Sequence, residues 1–299
     1  MEHMQAVEKM QDYIKHHAKD EDFELEQVWS TVGYSRRQAD RLFRKYTGKT
    51  VYEYTKAVCL TQGAVDLADT KQSVLEIAFN SHFQSHEGFT RSFSRIFHVT
   101  PEEYREKRVP IPLFVQYPVS HARILLEHKE EAKMSCDLNL CMITAKERPA
   151  RKFIYLPSRK AEDYLSYCEE MGCGWEGLLN SIPGKFDTAA LVELPDFMVE
   201  EGFSKVAAGV EVPLEYENAV PQHYKVAELP PCTMLYFQSE PYEKAEEFGS
   251  AIGKVYAAIE KYNPAVYGYQ FAYDVAPSFN FGADTATGAR LAVPVVCIE

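Results

Sequence analysis

From Val7 onward the apolar residues Val7, Met10, Ile14 and Ala18 recur at intervals of three and four, the spacing of an amphipathic helix. Leu25, Val28 and Val32 extend that period, so the pattern predicts a helix that runs on until Gly33 stops it. Ser35 is placed to cap the next helix, whose buried stripe would be Ala39, Leu42, Phe43 and Tyr46. "TGKT" ends that helix. Thr50 to Asp69 then reads as one long helix with Tyr54, Val58, Thr61, Val65 and Ala68 turned inward. Ser73 opens another through Asn80, Ser85 another through Phe97, and Thr100-Pro101 starts a last short one. The first third is predicted all helical.

At "VPIPLFVQYPV" (109–119) three prolines in an apolar stretch forbid helix and suggest a linker packed on something. The expected division is 1–108, a linker over 109–135, and a second domain over 136–299. In that second domain β-branched and aromatic runs alternate with helix-like segments, which predicts an α+β fold. It also echoes itself. "ERPARKFIYL" (147–156) aligns with "ELPPCTMLYF" (228–237), and each leads into a helical stretch (160–179; 242–262). Two apolar strands follow each time, "TAALVELP" with "KVAAGVEVP", then "YGYQFAYDV" with "RLAVPVVCI". Two β-α-β-β repeats of this kind predict a pseudo-twofold pair of sheets enclosing a groove.

The helical third carries a repeat too. In "SRRQADRLFRKY" (35–46) and "SHEGFTRSFSRIF" (85–97), placing Arg41 over Arg91 puts Phe43 over Phe93 and Lys45 over Arg95. With one residue of slack upstream, Val28 falls on Ile77 and Tyr34 on Phe83. Both halves are therefore helix, short turn, basic helix. The second helix of a helix-turn-helix enters the major groove, where an arginine donates two hydrogen bonds to guanine and its neighbours take phosphates. A joining helix of about twenty residues is ~30 Å long, close to the ~34 Å repeat of major-groove faces on one side of a duplex. The alternative is that the arginines are merely solvated, and Phe43 and Phe93 are core on either reading. A duplication in equal order favours DNA.

Charge locates that contact. The chain sums to -12, yet residues 1–108 hold 16 Lys and Arg against 17 Asp and Glu, while the remainder holds 16 against 27. An acidic second domain is repelled by nucleic acid and by anionic membrane, so DNA belongs to the first third, through a local and salt-sensitive basic surface. Neither a long apolar run nor a signal-peptide core is present, which points to a cytoplasmic protein with no membrane partner. The cysteines at 59, 136, 141, 168, 173, 232 and 297 form no C-x-x-C pair, and no metal-ligand spacing or glycine-rich phosphate loop occurs, so no cofactor is expected.

From about residue 5 to Arg108 the chain resembles the DNA-binding domain of AraC-type transcription regulators, in "VGYSRRQADRLFRKYTGKT" and above all in "SFSRIFHVTPEEYRE". The resemblance implies double-stranded operator DNA as partner, with RNA polymerase as a further candidate. It implies base contacts from Arg37, Asp40 and Arg41 in the first recognition helix and from His86, Glu87 and Arg91 in the second. Arg36, Arg44, Lys45 and Arg95 would meet phosphates, and Ser85 belongs to the same surface. Two residues depart from the pattern: His82 and His98 stand where glycine is usual. Asp40 and Glu87, as acids on DNA-facing surfaces, can accept from cytosine but cost affinity next to phosphate, and the second helix is expected to read sequence weakly.

Residues 136–299 resemble a GyrI-like effector domain, in "PARKFIYL", "AAGVEVP", "VAELPPCTMLYF", "RLAVPV" and the doubled topology. This implies a groove lined by aromatics for a hydrophobic small-molecule effector, as in multidrug-sensing regulators. Candidate lining residues are Tyr155, Trp175, Tyr236 and Phe281, with Tyr267, Tyr269, Phe271 and Tyr273 sent by strand alternation to one face as a ligand wall or a core layer. Arg290 and Asn280 stand where such domains usually place glutamates, so the sign of the ligand's charge is open. Glu193 and Glu211, inside apolar strands, are candidate replacements or solvent-facing acids. Cys168, Cys173, His223 and Glu193 share no spacing that pairs a nucleophile with a base, so binding rather than catalysis is expected. A DNA-tethered hydrolase and a protein-interaction module are the alternatives.

Overall fold

Serine and threonine caps set the helices of the first third. A computed structural model describes residues 2–20, 22–120, 141–244 and 247–298, in two compact units, Met1–Ser120 and His121–Glu299. Residues 121–135 of the expected linker, and Cys136, lie outside the described residues. The first unit holds α1 (Glu2–His17), α2 (Leu25–Ser30), α3 (Arg36–Thr47), α4 (Val51–Asp69), α5 (Val74–Asn80), α6 (His86–Phe97) and α7 (Pro101–Lys107). Thr50, Ser73, Ser85 and Thr100 each accept a hydrogen bond from the third residue of the helix they open. The helix predicted to run through to Gly33 is instead broken at residues 18–24, where Glu24 and Gln27 form a capping box that starts α2 afresh.

Each helix-turn-helix half has its own core, and α4 serves both. Val51, Tyr54 and Cys59 join α1, α2 and α3 through Val7, Ile14, Val28, Ala39 and Phe43. Leu60, Ala64 and Leu67 join α5, α6 and α7 through Ile77, Phe89, Phe93 and Tyr104. Because α4 is packed on two sides, its buried positions are Val51, Tyr54, Thr55, Cys59, Leu60, Gly63, Ala64 and Leu67; Tyr54 faces inward as expected, whereas Val58, Thr61, Val65 and Ala68 are half-buried. Tyr46, expected in the stripe of α3, lies on its exposed side. The proline-rich segment 109–120 lies on this unit. Ile111 is buried in the second core, and Phe114 packs edge-on against Tyr54 at 4.9 Å. Gln11 donates to the Tyr117 carbonyl at 2.9 Å and accepts from the Val119 N–H at 3.1 Å.

The second unit holds β1 (Cys141–Arg148), β2 (Arg151–Pro157), α8 (Tyr164–Met171), α9 (Trp175–Asn180), β3 (Ala190–Glu193), β4 (Val206–Pro213), β5 (Lys225–Leu229), β6 (Cys232–Ser239), α10 (Phe248–Lys261), β7 (Tyr269–Phe271), β8 (Ser278–Asp284) and β9 (Gly288–Cys297). Instead of two sheets there is one antiparallel sheet in the order β1-β6-β9-β8-β3-β4-β2-β5, with β7 on β9. Pairing of β3 with β8, Val192 opposite Phe279, joins the halves. The helical stretch expected over 160–179 is divided at Gly172, whose φ of +78° ends α8. A further expectation fails at 267–275. Pro264 opens a 3-10 turn through Tyr267, Gly268 at φ +77° closes it, and β7 is three residues long. Only Tyr269–Phe271 of "YGYQFAYDV" pairs with β9, near its end, and the longer strand beside β9 is "SFNFGAD".

Strand alternation gives this sheet two different faces. Ile154, Ala208 and Val210 pack on Tyr167, Trp175 and Leu179 of α8 and α9, and Leu235, Phe237, Leu291 and Val293 pack on Ala251, Val255 and Ile259 of α10. The other face carries Phe153, Tyr155, Val192, Met234, Tyr236, Phe279 and Ala292. No α-helix among the described residues contributes to that second cluster; Met198 of a 3-10 turn does.

Candidate functional site

The helical unit presents two recognition-type helices at a fixed offset. α3 and α6 are both 12 residues long, start after Ser35 and Ser85, and end at left-handed caps, Gly48 with φ 72° and His98 with φ 59°. Arg36, Arg37, Arg41, Arg44 and Lys45 are all exposed along α3. Arg36 lies over the Trp29 ring at 3.9 Å and 3.4 Å from Glu26, so it is partly held by α2. Arg37 and Arg41 make no hydrogen bond or ion pair among the described residues, which leaves their guanidiniums available to a ligand. Asp40 is placed differently from what the resemblance implies. Its carboxylate accepts from Trp29 Nε1 at 3.3 Å and from the Val51 N–H at 3.4 Å, tying α2, α3 and the start of α4 together.

Along α6, Glu87, Arg91 and Arg95 are exposed. His86 is half-buried with Nε2 3.4 Å from Glu102, and the Ser85 hydroxyl accepts from the Gly88 N–H at 3.1 Å as the helix cap. Charge is uneven along the unit: residues 35–49 contain six Lys and Arg and one acid, whereas residues 1–26 contain three and eight. Acid and base are therefore segregated within a unit of near-zero net charge, as salt-sensitive DNA binding requires.

A second cluster of charged and aromatic side chains lies on the helix-free sheet face. Register places Lys146 and Arg148 of β1 opposite Met234 and Cys232, and Arg290 of β9 opposite Gln238, all on the side of Tyr236. Arg151 and Glu211 extend the same face on β2 and β4. These charges interlock. Arg151, fully buried, bonds Glu211 through Nε and the Pro230 carbonyl at 2.8 Å through Nη1. Arg148 donates to the Tyr236 hydroxyl through Nη2 and lies 3.4 Å from Asp187. Its Nε, 3.3 Å from Glu211 Oε2, lacks an aligned acceptor. Arg290 donates to Asp187 at 2.6 Å and to Thr188 at 3.2 Å. Burial pushes the Tyr236 phenol well above its ordinary range, against the opposing pull of Arg148. Beside this cluster the rings of Phe153 and Tyr155, of Phe279 and Phe281, and of Tyr236 and Phe281 stack with centroids 5.2, 5.7 and 5.9 Å apart. Gly209 is what lets Phe153 lie across the sheet, since a Cβ there would meet the ring.

Of the expected ligand residues, Tyr155, Glu211, Tyr236, Phe281 and Arg290 belong to this face, and the other five do not. Trp175 is buried in the helix layer against Tyr164 and Tyr167. Glu193 is exposed and follows Val192, so alternation sends it to the helix side. Tyr267 is 67% exposed, and Tyr269 and Phe271 pack toward α10. Lys146, Arg148, Arg151 and Asp187 were not anticipated. A signal existed: Arg151 shares strand parity with Phe153 and Tyr155, so the most apolar strand face carries a guanidinium. Among the described residues no cluster of His, Cys, Asp and Glu could hold a metal ion, and no helix is long and apolar enough to cross a membrane.

Comparison with known proteins places the helical unit. Residues 29–107 match the family described as Helix-turn-helix domain. The chain is 38% identical over 107 residues to the transposon Tn10 TetD protein of Escherichia coli, which covers 36% of this chain and 77% of that one. It is 32% identical over 107 residues to the regulatory protein SoxS of Salmonella typhimurium, over 36% of this chain and 99% of SoxS. The Right origin-binding protein of Escherichia coli is 36% identical over 86 residues, a match that spans 29% of this chain and 30% of that protein. With its two capped helix-turn-helix halves and near full-length coverage of SoxS, the chain belongs to the AraC/XylS-type family of DNA-binding transcription regulators.

Proposed function

We propose that this protein is a one-component regulator that seats α3 and α6 in adjacent major grooves of one operator and answers to a small hydrophobic effector bound by its second unit. The observation that carries the DNA half is the 50-residue offset: equal helices, equal caps, and Arg41 and Arg91 exposed at equivalent positions. α4, with 19 residues, supplies a spacer of ~28 Å, near the ~34 Å between groove faces. Arg37, Arg41 and Arg91 would read bases, and Arg36, Arg44, Lys45 and Arg95 would meet phosphates. Asp40 would act indirectly, by fixing the pose of α3.

Support for the effector half comes from a GyrI-like order of elements: β2, α8 with α9, β3 and β4 are answered by β6, α10, β8 and β9, with helices on one face and aromatic rings on the other. Segment 109–120, latched by Gln11 and Phe114, would carry the coupling, since a proline-stiffened tether transmits displacement better than a flexible one. RNA polymerase is the natural further partner of such a regulator. Selection of binding sites from a random DNA pool by the full chain is the test. We expect a bipartite site with two blocks ~10 base pairs apart; enrichment of a single block would leave α6 without a base-reading role, and no enrichment would remove the operator reading.

A further inference from the structure

We infer that the helix-free face of the second unit takes an organic anion: an aromatic or otherwise apolar molecule whose carboxylate meets Arg290 and Lys146 and whose body lies against Phe281 and Tyr236. This rests on the reading of that face as the effector groove and adds the ligand's charge. The first ground is a count. Arg148, Arg151 and Arg290 face Asp187 and Glu211, three guanidiniums against two carboxylates, and Lys146 adds a fourth cation 4.5 Å from the Tyr236 ring centre. Cations gathered on apolar surface without a full set of counter-charges favour an incoming anion.

The second ground is which hydrogen-bonding groups are still free. Glu211 is 4% exposed and engaged by Arg151 and Arg148; Asp187 is 14% exposed and engaged by Arg290 and Arg148. Neither carboxylate is left for a cationic ligand. Arg290 spends Nη2 on Asp187 and Thr188, while its Nε and Nη1 make no hydrogen bond among the described residues. Guanidinium donors left in that state suit a carboxylate, which can take two of them at once.

The third ground is shape and exposure. The Arg290 guanidinium sits 4.4 Å over Phe281, and Arg148 and Arg290 lie 5.5 and 6.0 Å from the Tyr236 ring centre. Rings that already carry cations do not form an aromatic cage for another one. Arg290 is 27% exposed and Lys146 is exposed, whereas Tyr236 is nearly buried, so the polar end of a ligand would sit at the opening and its apolar end within. Arginine at position 290 is thus where the ligand's charge is chosen.

Three probes with one ring system and different charge test this on the full chain by calorimetric titration: 2-naphthoate, 2-naphthylmethanol and 2-naphthylmethylammonium. We expect naphthoate to bind at least about tenfold more tightly than the alcohol, as a charge-assisted contact to arginine should give, with the ammonium compound weakest. Arg290→Gln and Lys146→Gln should each narrow the gap between naphthoate and the alcohol by bringing naphthoate toward the affinity of the alcohol. Lys146 is a surface residue, so its variant keeps the test open if Arg290→Gln unfolds. Should the ammonium probe bind as well as naphthoate, or both variants bind naphthoate as the wild type does, the charge assignment is overturned while the groove stands. If none of the three binds at ~1 mM, the groove reading falls and this inference with it.

Discussion

In the first helix-turn-helix half, α3 carries Arg36, Arg37, Arg41, Arg44 and Lys45 and ends at Gly48; in the second, α6 carries Arg91, Arg95 and Glu87 and ends at His98 in the same left-handed conformation. The single acid of α3 is turned inward to Trp29 and Val51, whereas Glu87 stays on the surface. Cores differ as well: Phe89, Phe93, Phe97 and Tyr104 form a ring cluster in the second half where the first has Ala39, Phe43 and Tyr54. One scaffold has been used twice, with exposed positive charge concentrated in the first copy and ring packing in the second. Duplicated architecture fixes where two helices stand, while the charge each one carries is set separately by its own sequence.

That asymmetry is most exposed to single substitutions. Arg41→Ala should cost about 1–3 kcal/mol of binding to a selected duplex and relax preference at one position; Arg91→Ala should cost less, and equal or greater loss in a competition assay would break the comparison. Arg44→Ala should weaken all sequences alike and lower the slope of log affinity against log salt by about one. Next in size, Asp40→Ala should cost about 1–2 kcal/mol of stability in denaturant titration, because two donors lose their acceptor. Its surface counterpart Glu87→Ala should leave stability within about 0.5 kcal/mol and tighten DNA binding.

Smaller still is the cap effect. His98 is exposed at φ 59°, a conformation that disfavours residues with a Cβ, so His98→Gly should raise stability by roughly 0.5 kcal/mol. His82→Gly, at the same φ, should gain less or lose, because the His82 Nε2 bonds the Ala18 carbonyl at 3.0 Å and the ring contacts Phe23. The smallest effect is in pH. Hydrogen bonds from Thr50 and Ser73 hold the carboxyls of Glu53 and Glu76 below their ordinary 4.5, so their contribution is present above that value and fades as pH falls through the lowered one. Glutamine at both positions should flatten stability against pH in that acid range.

Most of the helical unit was legible from the sequence, because Ser35, Thr50, Ser73, Ser85 and Thr100 mark helix starts by a local mechanism. The break at 18–24 was not, since Leu25 and Val28 keep the period of α1 and the Glu24–Gln27 box was the sole local signal. In the second unit, "YGYQFAYDV" and "SFNFGAD" alternate equally well, and Pro264 with Gly268 decided between them. Alternation also cannot say which face of a strand a helix will cover. Hence Tyr155, Tyr236 and Phe281 reached one face while Tyr269 and Phe271 joined the other. The arginine cluster was hidden for a different reason: Arg148 and Arg290 are more than 80 residues from their partners Tyr236 and Asp187, and only the assembled sheet brings them together.

In the proposed complex α3 and α6 occupy neighbouring major grooves on one side of the same duplex. A hydroxyl-radical footprint of the full chain on its selected site tests this directly. Two protected windows about one helical turn apart on one face are predicted, with Arg91→Ala weakening one window more than the other. A single window, or two on opposite faces of the duplex, would contradict it.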